Sequence, residues 1–272
     1  MTQGIRLGAK QRWSLLVVIA LLIGSCSQAE TPQAASLSQP AAAPQIVEKA
    51  APTPEELTAG LPKLNGKATV EIMVGSKPIT IEVDGEHAPI TAGNFVDLAQ
   101  KGVYDGTIFH RVVRSPDPFV VQGGDPQSID PNVPTSQLGT GGYIDPDTGV
   151  ERMIPLEIQP QGADQPLYGQ TFPEANITDE PVLGHRRGAV AMARSGPNTA
   201  SAQFYITLAD VAFLDGNYAV LGYVTSGMDI VDKIQLGDVI TSVTVKSGAE
   251  NLVQPTETTD ETTDETADET AE

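Results

Sequence analysis

The stretch "FHRVVRSPDPFVVQGGDP", residues 109–126, sets Arg111 among apolar strand formers and ends in a Gly-Gly-Asp turn. A guanidinium held on a rigid strand is a permanently protonated hydrogen-bond donor aimed at a fixed point. Strand side chains alternate faces, so His110 and Arg111 point opposite ways. That assigns His110 a structural, hydrogen-bonding role rather than a catalytic one. His87 and His185 sit in turn-like segments without metal-ligand spacing, which gives no support to a zinc site or a histidine-based hydrolase. Cys26 is the only cysteine, so an intrachain disulfide, a thiol catalyst and a Cys-rich zinc site are excluded. Read as a calcium loop, "DPDTG" at 145–149 would put Gly149 at the fifth position and Leu156 at the twelfth, neither a ligand, so it reads as a turn.

Positioning such residues needs regular elements, and the sequence supplies them between about 65 and 250. "KATVEIMV" puts Ala68, Val70, Ile72 and Val74 on one face, and "KPITIEV" repeats the alternation with Ile79, Ile81 and Val83. "APITAGNFVDLAQKG" places Ala92, Phe95, Val96 and Ala99 at helical spacing, opened by Pro89 and followed by Gly102, which predicts an amphipathic helix. "GMDIVDKI" predicts a second helix with Met228, Val231 and Ile234 inward. Strands are predicted in "TIFHRVV", "FVVQGG", "GAVAMAR", "AQFYITL", "AVLGYV" and "ITSVTVKSG". Many strands, Gly/Pro/Asp turns and no βαβ alternation favour an antiparallel closed barrel.

Five motifs in order, "NFVDLAQKGVYDGTIFHRVV", "FVVQGGDP", "GTGG", "GAVAMARSGPNTASAQFYIT" and "FLDGNYAVLGYVTSGMDIVDKI", resemble those of the cyclophilins over roughly 70–250. The resemblance implies a mainly β fold, a closed eight-stranded antiparallel barrel with two capping α-helices. It also implies cis/trans isomerisation of peptidyl-prolyl bonds without a cofactor. Carried over by position, it makes Arg111 the catalytic arginine, with Phe119 and Leu214 holding the proline ring and Gln122 orienting the guanidinium. Ala193 and Gln203 bind the peptide backbone, and Tyr205, Phe213 and Tyr218 complete the groove.

Some positions depart from the pattern. About three extra residues separate "FHRVV" from Phe119, and Val120 stands where Met is familiar. Tyr205 replaces a Phe, Tyr218 a frequent His, Arg194 a common Asn, and Phe213 the Trp of drug-sensitive members. The long segment 143–187 and "GDVITSVTVKSGAENLVQP" are similar to cyclophilin-like proteins of cyanobacteria and the plastid thylakoid lumen, some of which lack the arginine and act as assembly factors.

The ends have another character. Arg6, Lys10 and Arg12 precede the apolar run "WSLLVVIALLIGSC", too short for a comfortable membrane span, which predicts an export signal. "IGSC" resembles a bacterial lipobox, implying a signal peptide at 1–25 and lipidation of Cys26. Cleavage near "SQA" with Cys26 discarded, or an uncleaved anchor, are the other outcomes. Residues 26–64, rich in Ala and Pro, read as a disordered tether, 65–250 as the folded domain and 251–272 as a disordered acidic tail. Eight of the 35 acidic residues lie in 256–272, yet the chain stays acidic without them, and no basic stripe exists for nucleic acid. The expected partners are flexible proline-containing segments of exported proteins and, through the N-terminal lipid, a membrane in the periplasm or thylakoid lumen. The rival expectation is a noncatalytic module that assists assembly of a membrane complex.

Overall fold

A computed structural model describes residues 51–255. A short helix, α1 (Pro54–Thr58), leads into β1 (Lys63–Leu64), β2 (Lys67–Val74) and β3 (Lys77–Asp84), then helix α2 (Pro89–Gln100). Next come β4 (Arg111–Val113), β5 (Val120–Gly123) and, in the long insertion, the small hairpin β6 (Glu157–Ile158) and β7 (Leu167–Tyr168). The chain continues through β8 (Ala189–Met192), β9 (Phe204–Thr207), β10 (Val220–Ser226), the one-turn helix α3 (Met228–Val231), β11 (Ile240–Ser247) and β12 (Leu252–Val253).

Eight strands form one antiparallel sheet in the order β11-β2-β3-β10-β8-β9-β5-β4. Its two edges meet just ahead of β4 and β11. Ile108 bridges Val239 there, and Phe109 N–H donates to Asp238 O at 2.9 Å while Ile240 N–H donates to Thr107 O at 2.8 Å. The fold is thus mainly β and antiparallel, as expected, and every predicted strand is found. The expected second helix is only one turn long, although Val231 and Ile234 are fully buried as predicted.

Alternation explains which residues build the core. Val70, Ile72, Ile79, Ile81, Val83, Val121, Val190, Phe204 and Ile206 point inward with Phe95 and Leu98 of α2. Phe204 stands edge-on to Phe95 and Tyr104 with ring centroids 5.4 Å apart. Each such phenylalanine stabilises the fold by about 1.5–3 kcal/mol on burial.

Two expectations are corrected. The sequence pattern makes α2 amphipathic, but every residue from Ile90 to Ala99 is buried. Its outer side is covered by β1, β12 and the insertion, and most of its polar groups find partners. Asn94 Nδ2 donates to Ser201 O at 2.7 Å, and Arg152, Lys101 and Gln254 all reach the Asp97 carboxylate. Burial alone would raise the Asp97 pKa; the bonds from Lys101, Arg152 and Gln254 outweigh it and hold the carboxyl below its ordinary value.

The second correction concerns the boundaries at 64/65 and 250/251. Thr53 caps α1 through a reciprocal box with Glu56, and β1 pairs with β12 in the register Lys63↔Val253 and Leu64↔Leu252. The folded domain therefore includes residues 53–64 and 251–253. A Pro-rich composition had hidden them, because two-residue strands leave no alternation to read. Gly93 explains the close fit: a Cβ there would lie 2.5 Å from Pro62 O. The expected signal, Cys26, most of the tether and residues 256–272 lie outside the described residues.

Candidate active site

The ladder registers set Arg111 opposite Gln122, Gln122 opposite Tyr205 and Tyr205 opposite Ala191, one row across β4, β5, β9 and β8. Successive residues alternate faces, so this row lies on the face away from the main core. Val120, Ala189, Ala191, Tyr205 and Val220 form a second apolar cluster there, joined by Phe119, Ala193, Leu214 and Tyr218.

A cavity of about 200 Å³ opens on this face, lined by Arg111, Phe119, Val120, Gln122, Ala193, Arg194, Tyr205, Leu214 and Tyr218. Phe119 and Leu214 come from different turns, Leu214 from the 3-10 helix Ala212–Leu214. Tyr205 meets Tyr218 edge-on at 6.2 Å. The walls are mainly aromatic and aliphatic, with the guanidinium groups of Arg111 and Arg194 beside them.

Arg111 is exposed, and its guanidinium lies 5.6 Å from the Phe119 ring centroid. Arg111 Nη1 donates to Gln122 Oε1 at 3.2 Å, Gln122 Nε2 to Gln203 Oε1 at 3.1 Å, and Gln203 Nε2 to Gly141 O at 2.7 Å. This relay ends in the "GTGG" loop, where Asp125 accepts the N–H of Gly139 at 2.6 Å. Gly141 belongs there because a Cβ would come 2.3 Å from Asp125 Oδ1.

Gln122, Gln203, Ala193 and Arg194 also wall a neighbouring cavity of about 280 Å³, so the two form one groove. The structure gathers Arg111, Gln122, Phe119, Ala193, Tyr205, Leu214 and Tyr218 around the first cavity and puts Gln203 in the second. Phe213 lies apart. It is 70 % exposed and stacks on the outside of Phe119 at 5.7 Å, a rim contact rather than a pocket wall.

Arg194, seen in the sequence only as a departure, lines both cavities and lies over Tyr218 at 4.6 Å. Among the described residues neither ring nitrogen of His110 makes a hydrogen bond of ordinary geometry. Burial lowers its pKa, with Asp125, the Ile108 backbone and the Gln203 side chain close enough to oppose it. "DPDTG" is a turn, Asp145 Oδ1 accepting the N–H of Asp147 and Thr148. Asp84 and His87 pair at 3.1 Å in the β3–α2 turn, and neither lines either cavity of the groove.

A wrapped antiparallel sheet whose outer face carries a cavity walled by aromatic rings and two arginines, Arg111 and Arg194, defines a β-protein with a groove on that face. The chain belongs to the family described as cyclophilin type peptidyl-prolyl cis-trans isomerase, whose profile matches residues 69–256. It is 42% identical over 211 residues to a Synechocystis protein provisionally named a thylakoid lumen peptidyl-prolyl cis-trans isomerase, covering 74% of this chain and 52% of the relative. It is 38% identical over 222 residues to a chloroplastic peptidyl-prolyl cis-trans isomerase of Arabidopsis thaliana, covering 75% and 47%. A Schizosaccharomyces pombe peptidyl-prolyl cis-trans isomerase is 37% identical over 169 residues, covering 62% and 86%. The chain spans about half the length of the first two relatives.

Proposed function

We propose that the protein is a peptidyl-prolyl cis/trans isomerase acting on flexible X-Pro segments of exported proteins, with Arg111 stabilising the twisted bond. The observation that carries this reading is Arg111, tied to Gln122, beside a cavity of about 200 Å³ that has room for a proline ring. Amide resonance gives the X-Pro bond a barrier of about 18–20 kcal/mol. At the half-turn that resonance is lost and the imide nitrogen holds a lone pair. A donor from Arg111 bonds that lone pair only in the twisted state, which lowers the barrier without stabilising either planar form. Phe119 and Leu214 hold the ring while Gln203 and the backbone at Ala193 hold the peptide extended. Shortening tens of seconds to about ten milliseconds needs on the order of 5 kcal/mol. A protease-coupled assay with an Ala-Pro peptide tests this: catalysed isomerisation is expected, and a rate equal to the uncatalysed one overturns it.

The second reading, a noncatalytic assembly module, draws on the insertion 143–187, which is bound to α2 by Arg152–Asp97 and Glu157–Thr91 and so offers a fixed surface beside the groove. An inactive protein that still binds the peptide would favour it.

The relatives named for the thylakoid lumen and the chloroplast support an extracytoplasmic site. In this reading residues 1–25 are the signal, Cys26 carries a diacyl anchor, the residues up to about 50 separate lipid from domain, and 256–272 are a solvated acidic tail. Two acyl chains are the number stable anchoring requires. Radiolabelled palmitate is expected to enter the wild type, and Cys26→Ala to move the protein from the membrane to the soluble fraction. An unlabelled wild type removes the anchor and leaves the domain untouched.

The resemblance also implies weak inhibition by cyclosporin-type drugs, because sensitive members carry an indole N–H where Phe213 stands. Losing a donor costs about 1–3 kcal/mol, or roughly tenfold to hundredfold in affinity. Phe213→Trp should restore sensitivity with kcat/KM little changed, since Phe213 stays outside the ring cavity. A wild type inhibited at low nanomolar drug contradicts this.

A further inference from the structure

Behind the ring cavity lies a buried side-chain series that the mechanism above does not use. His185 has a side chain with no exposed surface. Its Nδ1 lies 2.7 Å from Asp215 Oδ1 and its Nε2 lies 2.9 Å from the Tyr205 hydroxyl. The His185 backbone N–H also donates to Asp215 Oδ1 at 2.7 Å, and Val211 N–H donates to His185 O at 2.8 Å. Backbone and ring are therefore both held.

The roles of the protons follow from chemistry. A carboxylate only accepts, so Asp215 selects the tautomer with hydrogen on Nδ1. Nε2 is left with a lone pair, and the Tyr205 O–H must donate to it. Burial lowers the His185 pKa, with Asp215 opposing, which keeps the ring available as an acceptor near neutrality. Burial also raises the Tyr205 pKa, so the phenol stays protonated. The other charged or titratable groups around this series are Tyr218 and Arg194 beside Tyr205, and Tyr223, whose hydroxyl donates to Gly184 O at 2.9 Å with Arg186 over its ring at 3.8 Å.

Tyr205 lines the ring cavity, and Asp215 ends the 3-10 turn that carries Leu214, another cavity wall. We propose that His185, oriented by Asp215, is a positioning residue for the proline cavity: it accepts a hydrogen bond from the Tyr205 hydroxyl, keeps the aromatic face toward the bound ring, and fixes the Tyr205 wall against the Leu214 wall. This rests on the isomerase reading of the groove. Without His185 the Tyr205 hydroxyl would be buried and unpartnered, and turning it toward the cavity would place a polar group where the proline ring packs.

The test uses the full chain as wild type, His185→Leu, His185→Gln, Tyr205→Phe, and His185→Leu with Tyr205→Phe. His185→Leu is expected to raise KM for the Ala-Pro peptide about tenfold with kcat changed by about twofold or less. In the Tyr205→Phe background the same change should raise KM by about threefold or less, because no hydroxyl needs a partner. His185→Gln, whose amide N–H can meet Asp215 and whose C=O can accept from Tyr205, should stay within about threefold of wild type. Equal KM increases in both backgrounds, or His185→Gln as impaired as His185→Leu, overturn the proposal. Nitrogen-15 spectra of the wild-type imidazole give an arm independent of turnover and of any variant's folding. Hydrogen on Nδ1 and a bare, hydrogen-bonded Nε2 at pH 7 are expected, and the opposite tautomer or an imidazolium overturns the positioning role. A wild type without isomerase activity but with the expected tautomer instead overturns the isomerase reading.

Discussion

Arg111→Ala is expected to lower kcat/KM by about 10²–10³, equivalent to about 3–4 kcal/mol, with folding unchanged. Arg111 is exposed and its one side-chain hydrogen bond among the described residues goes to Gln122, so the fold loses almost nothing when it is cut back. In the proposed mechanism the reaction loses a donor that matters only at the half-turn of the X-Pro bond. Because neither planar form is bonded, the loss should fall in kcat, with KM for the Ala-Pro peptide changed little. Arg111→Lys should recover little, since a single ammonium cannot hold Gln122 and also reach across the cavity mouth as a planar fork can. The coupled assay with matched circular dichroism spectra checks this. Equal activity of mutant and wild type would remove Arg111 from the mechanism and leave the groove as a binding surface.

Why Arg111 was legible and other residues were not comes down to range. Strand alternation is local, and it alone puts Val120 and Gln122 on one face and Val121 on the other, as the structure has them. The motif order then carried the cross-strand row Arg111, Gln122 and Tyr205. Contacts made by single polar side chains across long separations leave no periodic trace. His185 and Asp215 are 30 residues apart, and the motifs that place Tyr205 in the groove say nothing of the partner its hydroxyl finds in His185. Helix α2 is the clearest failure. Its polar residues Thr91, Asn94 and Asp97 look like a solvated face, yet each is buried against a partner supplied by chain 55 to 107 residues further on.

Glu157 is the most demanding of these partners, and Glu157→Ala should cost about 3–5 kcal/mol of stability. Its carboxylate is buried at the N-terminus of α2, where Oε1 accepts from Ile90 N–H at 3.1 Å and Oε2 from Thr91 N–H and Thr91 Oγ1, both at 2.7 Å. The first N–H groups of a helix have no partner within it, and a negative charge there also meets the helix dipole. Truncation to alanine leaves three donors buried without an acceptor. Glu157→Gln keeps one carbonyl oxygen but turns an N–H₂ toward donors, so it should lose less than alanine and more than nothing. The pH dependence separates charge from packing. Burial raises the Glu157 pKa above its ordinary value, although the Thr91 and Ile90 donors pull it down. Below the unfolded-state pKa both states hold the proton. Between that value and the raised folded one, only the folded state holds it, so rising pH favours unfolding. Glutamine does not titrate, so the wild type's stability advantage over Glu157→Gln in urea denaturation should be largest at acid pH and shrink as pH rises through the folded pKa. An advantage that instead grows over that range would mean the carboxylate is favoured on folding, with the helix-end donors outweighing burial.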